Sequence, residues 1–326
     1  MSNIRNIGIL TSGGDSPGMN AAIRAVVRTG IHHGIDIYGI RHGYQGMIDG
    51  DIFKMNTIDV SNIIQRGGTI LKTARSKEFM TKEGMQKAYD QISRHNIDAL
   101  VLIGGDGTFR GAVAFFEQFT IPAIGIPGTI DKDLAGTDFT IGFDTAVNTA
   151  VEAIDKIRDT AEAHDRLFVV EVMGRDAGYI ALNSGISCGA EDILIPEQVT
   201  DINDVLNRID IDERRKKSVH ILVVAEGDDF GGAKQVQDSI KARFPALDVR
   251  YCVLGHIQRG GAPTYADRVL ASRLGYAAVN ALMSGTTQVM AGIVNGEIFF
   301  TPFQNVIKGN MPIGKDLLDM ISVLSS

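Results

Sequence analysis

The sequence predicts an α/β protein with mainly parallel strands. Three features carry that expectation: short apolar runs alternate with helical patterns, the runs are apolar throughout rather than at every second residue, and most end directly in a polar, glycine-rich loop. Strand–helix alternation is the pattern of parallel sheets, and strands covered by helices on both faces lose the polar alternation.

The elements follow in order. NIGIL (residues 6–10) reads as the first strand and SPGMNAAIRAVVRTGIHHG (16–34) as the first helix. Ser16 is the expected N-cap and Pro17 suits the first helical position. Ile23, Val26, Val27 and Ile31 recur at helical spacing, and Gly34 can close the helix in a left-handed conformation. IDIYGI (35–40) is a strand followed by a polar loop region. DALVLIGG (98–105) precedes the helical TFRGAVAFFEQF (108–119), and IPAIGI (121–126) precedes PGTIDKD (127–133). A long helix is expected over 144–163, with the stripe Val147, Val151, Ile154 and Ile157. LFVVEVMG (167–174) leads into RDAGYIALNSGISCG (175–189), and HILVVAEG (220–227) and VRYCVLGH (249–256) complete the series. No short-period repeat, low-complexity segment or Pro/Ser-rich linker marks a boundary.

Composition bounds the function classes. The 326 residues, 44 % apolar and 22 % charged, suit roughly two domains that bury their cores without staples. A formal net charge of −7 gives no basic footprint, which argues against a nucleic-acid partner. It leaves room for an anionic small ligand, because salt screens distant charge beyond about 10 Å. Cys188 and Cys252 form no disulfide framework or metal-ligand spacing. The start, MSNIRNIGIL, lacks the apolar stretch of a signal peptide, and no run approaches the roughly 20 apolar residues of a membrane helix. A soluble, cytoplasmic protein without membrane contact is expected.

Ligands of open parallel sheets bind beyond the carboxyl ends of the strands, so the loops there matter most. They are TSGGDSPG (11–18), GGDGT (104–108), PGTIDKD, MGRDAG (173–178), EGDD (226–229) and GHIQRGG (255–261). Glycines let backbone N–H groups approach an anion, and a following helix N-terminus favours phosphate. TSGGD is such a cradle or a tight turn; it matches neither the dinucleotide fingerprint nor the P-loop. In GGDGT, Asp106 suits a hard cation held directly or through water, with Gly105 and Gly107 leaving room for phosphate oxygens; an Asp in a turn is the alternative. Asp131, Lys132 and Asp133 present acid, base and acid after a strand, or simply turn the chain. Arg75, Arg166, Arg175, Arg250 and Arg259 mostly flank these loops, as phosphate forks or as solvated charges. His256 is a phosphate donor or a loop histidine.

TSGGDSPGMNAAIR, RGGT (66–69), IGGDGT, PGTIDKD, TIGFDTA (140–146), VVEVMGR and VLGHIQRGG occur in the order found in bacterial ATP-dependent 6-phosphofructokinases, and the chain resembles that family from about residue 6 to 298. The resemblance implies two doubly wound lobes with mainly parallel sheets and the active site in the cleft between them. Residues 1–142 plus 256–305 would form the nucleotide-binding lobe, and 143–255 plus 306–326 the sugar-phosphate lobe. It implies a glycolytic, Mg2+-dependent transfer of the ATP γ-phosphoryl group to the 1-hydroxyl of fructose 6-phosphate. Asp131 then matches the base. Thr129 and Gly14 match contacts to the transferring group, Arg75 a transition-state clamp, and Asp106 with Asp133 the magnesium carboxylates. Ser76, Gly105, Gly107 and Thr108 join the ATP site. Ile130, Met173, Gly174, Arg175 and Glu226 match sugar contacts, and His256 and Arg259 the 6-phosphate. Arg166 and Arg250 match residues that reach a neighbouring subunit's substrate, implying a homotetramer.

Arg24 and Arg28 lie four apart, and such like-charged neighbours cost a bare helix about 0.2–0.5 kcal/mol. Solvated arginines or an anion between them are both open on the residues alone. The resemblance places them with Arg158, Gly189, Arg215 and Lys217 in a pocket for ADP or phosphoenolpyruvate, with Glu191 as its metal carboxylate. Thr57 stands where the family commonly has Arg, and Asn62 where it commonly has Asp, which implies a weakened effector response. Lys132 replaces the usual Asn; alternation along an extended segment would point it away from Asp131 and Asp133. Pyrophosphate-using relatives carry Asp at Gly107 and Lys at Gly128, so two small glycines favour ATP. A pyrophosphate-dependent enzyme and a catalytically silent regulatory subunit are the alternatives.

Overall fold

Apolar strands and the helices that cover them assemble into two separate sheets. The computed structural model describes residues 4–214, 220–307, 313–314, 316–317, 320 and 323. The chain divides into two units, Met1–Thr145 with Arg259–Met311 and Ala146–Gln258 with Pro312–Ser326.

The first unit contains β1 (Asn6–Ser12), α1 (Met19–His32), β2 (Asp36–Ile40), α2 (Gly43–Asp49), β3 (Ile52–Met55), α3 (Lys82–Arg94), β4 (Ala99–Gly104), α4 (Asp106–Phe116) and β5 (Ala123–Pro127). After the second unit it resumes with α9 (Tyr265–Met283), β10 (Val289–Val294), β11 (Glu297–Pro302) and α10 (Phe303–Val306). The strand order is β11-β10-β5-β4-β1-β2-β3. The five inner strands run parallel, and β3 and β11 add antiparallel edges. β4 shows why these runs are apolar throughout. Ala99, Val101 and Ile103 join one core with Ile23 and Val26 of α1 and Leu274 of α9. Leu100 and Leu102 join the other with Met47 of α2, Met85 of α3 and Phe109 of α4. Alternate side chains thus enter two different interiors.

The second unit holds β6 (Leu167–Val172), α6 (Tyr179–Cys188), β7 (Asp192–Leu194), α7 (Ile202–Arg214), β8 (His220–Ala225), α8 (Ala233–Arg243) and β9 (Val249–Val253). Its sheet, β7-β8-β6-β9, is parallel throughout. α5 (Phe143–Glu162) starts in the first unit and continues into the second. No described helix is long and apolar enough to cross a membrane.

Several local expectations change. α1 begins after Ser16 and Pro17: Gly18 takes the N-cap position at φ 107 with no side-chain cap, and the buried Ser16 Oγ has no hydrogen-bond partner among the described residues. Gly34 does close the helix in the left-handed region, at φ 73. The region after β2 is not a loop but α2 and β3, entered through His42 and Gly43, both at positive φ. The buried stripe of α5 is Ala146, Ala150, Ile154 and Ala161, with Val147, Val151 and Ile157 only half-buried. Small residues bring the helix closest to its neighbours, a fit that hydrophobic spacing alone does not reveal.

Candidate active site

β1, β4 and β5 are neighbours, and hydrogen bonds tie their carboxyl-end loops to one another. Thr108 Oγ1 donates to the Ser12 carbonyl at 3.1 Å, and the Gly128 N–H donates to the Gly104 carbonyl at 3.0 Å. The Asp131 N–H donates to Thr129 Oγ1 at 3.1 Å. Thr73 Oγ1 donates to the Gly13 carbonyl at 2.5 Å, tethering the exposed Arg75 and its neighbour Ser76 to the TSGGD loop. Ser76 Oγ donates to Gln45 and accepts the Phe79 N–H. Arg259 donates to the Asp15 carbonyl at 3.4 Å, and its guanidinium lies where a β-carbon on Gly14 would go. Gly14, Arg75, Ser76, residues 105–108 at the start of α4, Thr129, Ile130, Asp131 and Arg259 therefore share one rim of the first unit.

Asp131 is 4 % exposed and Thr129 9 %, so a carboxylate and a hydroxyl stand largely out of bulk water. Asp106 opens α4 and accepts Arg110 Nε at 2.6 Å, an i,i+4 ion pair that raises the Arg110 pKa. Arg110 is a partner that sequence reading missed, although the spacing was visible. Asp133 is half-buried. Among the described residues no group of three or more His, Cys, Asp or Glu could hold a metal. Asp106 and Asp133 nevertheless suit Mg2+, which takes one or two carboxylates and completes its shell with water and phosphate oxygens.

The glycines separate by role. A β-carbon on Gly107 would meet nothing within 4 Å. One on Gly128 would press on Ile103 and Met19 at 3.0 Å each, and one on Gly105 would come within 3.3 Å of Thr129. Gly128 therefore serves packing rather than ligand space, and Gly105 lets the β4 and β5 loops approach. Tyr44, also unanticipated, supports the rim from below: its hydroxyl donates to the Thr108 carbonyl at 2.7 Å and its ring stacks on Phe79.

In the second unit, Glu226 accepts the N–H groups of Gly174 and Arg175 at 3.2 and 2.7 Å, which draws MGRDAG and EGDD together. The buried Gln258 accepts the Met173 N–H at 3.4 Å, while His256 is exposed. Arg166 and Arg250 converge on one carboxylate, Asp248, each through Nε at 2.7 and 2.8 Å. Hydrogen bonding from Arg166 lowers the Asp248 pKa, with Arg250 adding to the effect.

The phosphofructokinase family profile matches residues 6–282 of this sequence. The chain belongs to the phosphofructokinase family. It is 54 % identical to the ATP-dependent 6-phosphofructokinase of Cytophaga hutchinsonii over 322 residues, covering 99 % of this chain and 98 % of that protein. The ATP-dependent 6-phosphofructokinase 1 of Thermus thermophilus is also 54 % identical, over 99 % of this chain and all of its own length. The solved phosphofructokinase of Saccharomyces cerevisiae superposes with a TM-score of 0.88 at 36 % identity, covering 98 % of this chain and 47 % of the yeast chain. The two-lobed fold of mainly parallel sheets is thus a phosphofructokinase fold.

The residues that the sequence resemblance groups into an effector pocket fall in both units. In the first, burial lowers the Arg24 pKa and the neighbouring Arg28 charge adds to it; Thr57 and Asn62 are exposed. In the second, Arg158 donates to the Cys188 and Gly189 carbonyls at 2.6 and 3.1 Å, and the buried Glu191 accepts the Ile221 N–H at 2.6 Å. Arg215 and Lys217 lie outside the described residues.

Lys132 corrects the alternating-face expectation. Its φ is 55, so the segment is not extended there, and the left-handed turn itself directs the side chain. The ammonium lies 5.2 Å from the Phe143 ring centroid and 5.7 Å from that of Phe139. Burial lowers its pKa, opposed by Asp138. Asn tolerates left-handed backbone better than Lys, while the ring contacts are worth roughly 0.5–1 kcal/mol. Lys132→Asn should therefore change both turnover and thermal stability little; a tenfold change in kcat in steady-state assay would show that the ammonium acts in the reaction.

Proposed function

We propose that this phosphofructokinase catalyses the glycolytic transfer of the ATP γ-phosphoryl group to the 1-hydroxyl of fructose 6-phosphate, releasing fructose 1,6-bisphosphate and ADP. The observation that carries the reading is the cross-tied rim of the first unit, where a buried carboxylate, Asp131, stands among anion-suited loops. Phosphoryl transfer asks mainly for positioning and charge stabilisation, with one group to orient and deprotonate the nucleophile. Asp131 takes the hydroxyl proton. Thr129 and the Gly14 backbone contact the transferring group, and Arg75 offsets its charge. Gly105, Gly107, Thr108 and Ser76 line the nucleotide, which makes the first unit the nucleotide-binding one. Asp106 and Asp133 would hold Mg2+, which when bound neutralises phosphate charge. Ile130, Met173, Gly174, Arg175 and Glu226 hold the sugar, and His256 and Arg259 the 6-phosphate. Arg166 and Arg250 serve a neighbouring subunit's substrate in a homotetramer of the cytoplasm.

ADP or phosphoenolpyruvate would bind through Arg24, Arg28, Arg158, Gly189, Glu191, Arg215 and Lys217. With Thr57 and Asn62 at two further positions, one cationic contact is lost and the response is weak. A coupled assay offering ATP and pyrophosphate separately tests the whole reading. Turnover is expected with ATP alone, on a nearly hyperbolic fructose 6-phosphate curve that ADP barely moves. Turnover with pyrophosphate alone, or with neither, would replace the reading with one of its alternatives. A strongly sigmoidal curve relieved by ADP would restore the effector pocket.

A further inference from the structure

Asp267 is 1 % exposed and has no role in the chemistry above, yet three donors converge on its carboxylate. Oδ1 accepts the Gly142 N–H at 2.8 Å. Oδ2 accepts the Thr145 N–H at 2.9 Å and its hydroxyl at 2.5 Å. Burial raises the Asp267 pKa, and the bonds from Thr145 and Gly142 oppose the rise. Thr264 locks the arrangement: its N–H donates to Thr145 Oγ1 at 3.0 Å and its hydroxyl to the Asp144 carboxylate at 2.6 Å.

The segment held in this way supports the loop that carries Asp131. The Ile141 N–H donates to the Pro127 carbonyl at 2.9 Å, and Ile141 bridges Gly128. Thr129 and Asp131 follow directly. Gly142 has φ 103, and a β-carbon there would sit 2.5 Å from Ser16 Cβ, so only glycine fits where this segment passes the TSGGDSPG loop. One on Gly18 would lie 2.7 Å from Ile141 and 3.5 Å from Asp267 Cβ, which packs the TSGGDSPG loop against the same point.

We propose that Asp267 is a positioning residue for phosphoryl transfer, fixing Gly142 and Thr145 so that the segment beside Pro127 and Gly128 holds Asp131 in line with the alcohol. The inference rests on the reading of Asp131 as the base. A carboxylate is required because an amide offers one acceptor oxygen and turns an N–H group toward backbone donors. Asp267→Asn keeps the shape and breaks the convergence.

Misplacement by about 1 Å can cost on the order of 10²-fold in rate. In Asp267→Asn, kcat should fall about 10- to 100-fold, with KM for ATP and fructose 6-phosphate within about threefold of the parent. Combined with Asp131→Ser it should lower the residual turnover no further, since both act on one step. Unchanged kcat with a lowered Tm, or losses that multiply in the double variant, would make Asp267 a purely structural residue and overturn the proposal. If Asp267→Asn does not fold, Thr145→Val decides: a kcat loss restored in Thr145→Ser supports the proposal, and an unchanged kcat overturns it. Full turnover in Asp131→Ser alone would instead defeat the underlying reading, whatever the Asp267 variants do.

Discussion

Asp131→Ser is expected to lower kcat by about 10²–10⁴-fold, the usual worth of a positioned general base, while ATP still binds. The substitution suits the question because Ser is smaller than Asp and keeps the backbone N–H that donates to Thr129 Oγ1. Asp131 is 4 % exposed, so its removal deletes a carboxylate largely hidden from water rather than a surface charge. Thr108 remains tied to the Ser12 carbonyl of β1, and Gly128, next to Thr129, to the Gly104 carbonyl of β4. Steady-state kinetics combined with calorimetric ATP titration separates the two effects. Turnover within tenfold of the parent, or loss of ATP binding in step with turnover, would mean that Asp131 is not the base.

Gly107→Asp should abolish efficient use of ATP without disturbing the fold. A β-carbon at 107 meets nothing within 4 Å, and position 107 lies in the first turn of α4, where a carboxylate is favourable to the helix dipole. The same carboxylate competes with phosphate oxygens for those N–H groups and repels them. At about 4 Å such repulsion is worth roughly 1–4 kcal/mol between the water and protein-surface limits, or about 5- to 10³-fold in apparent ATP affinity. The KM for ATP should rise by that factor at an unchanged Tm. Full ATP activity would refute the steric and electrostatic account of nucleotide choice. Gly128→Lys makes a poorer probe, because Met19 and Ile103 already fill the space and a fall in activity would report lost packing.

What could be read from the residues depended on whether the signal was local. The parallel strands were legible because burial on two faces writes itself as an unbroken apolar run. Their carboxyl ends pointed to Asp106, Thr129 and Asp131 because glycines and carboxylates cluster there. Helix starts were less legible. Gly18 took the cap from Ser16 since its left-handed backbone lets the chain pass Ile141 and Asp267, neighbours more than a hundred positions away. Lys132 is hidden from sequence for a similar reason: nothing local marks the left-handed turn that puts its φ at 55. Tyr44, Asp248 and Gln258 look ordinary in sequence, and only tertiary contact reveals their bonds to Thr108, the paired arginines and Met173.

The larger sheet is assembled from both ends of the polypeptide. β10 pairs with β5, and α9 packs against α1, across most of the chain's length. A ribosome therefore releases β1 to β5 long before the segments that complete their sheet. Until then β5 presents an unfilled, hydrogen-bond-hungry border of the kind that recruits foreign strands. The second unit, whose sheet comes from one uninterrupted stretch, needs no such wait. Biogenesis thus leaves the first unit exposed to misassembly during the interval in which its companion is still being synthesised.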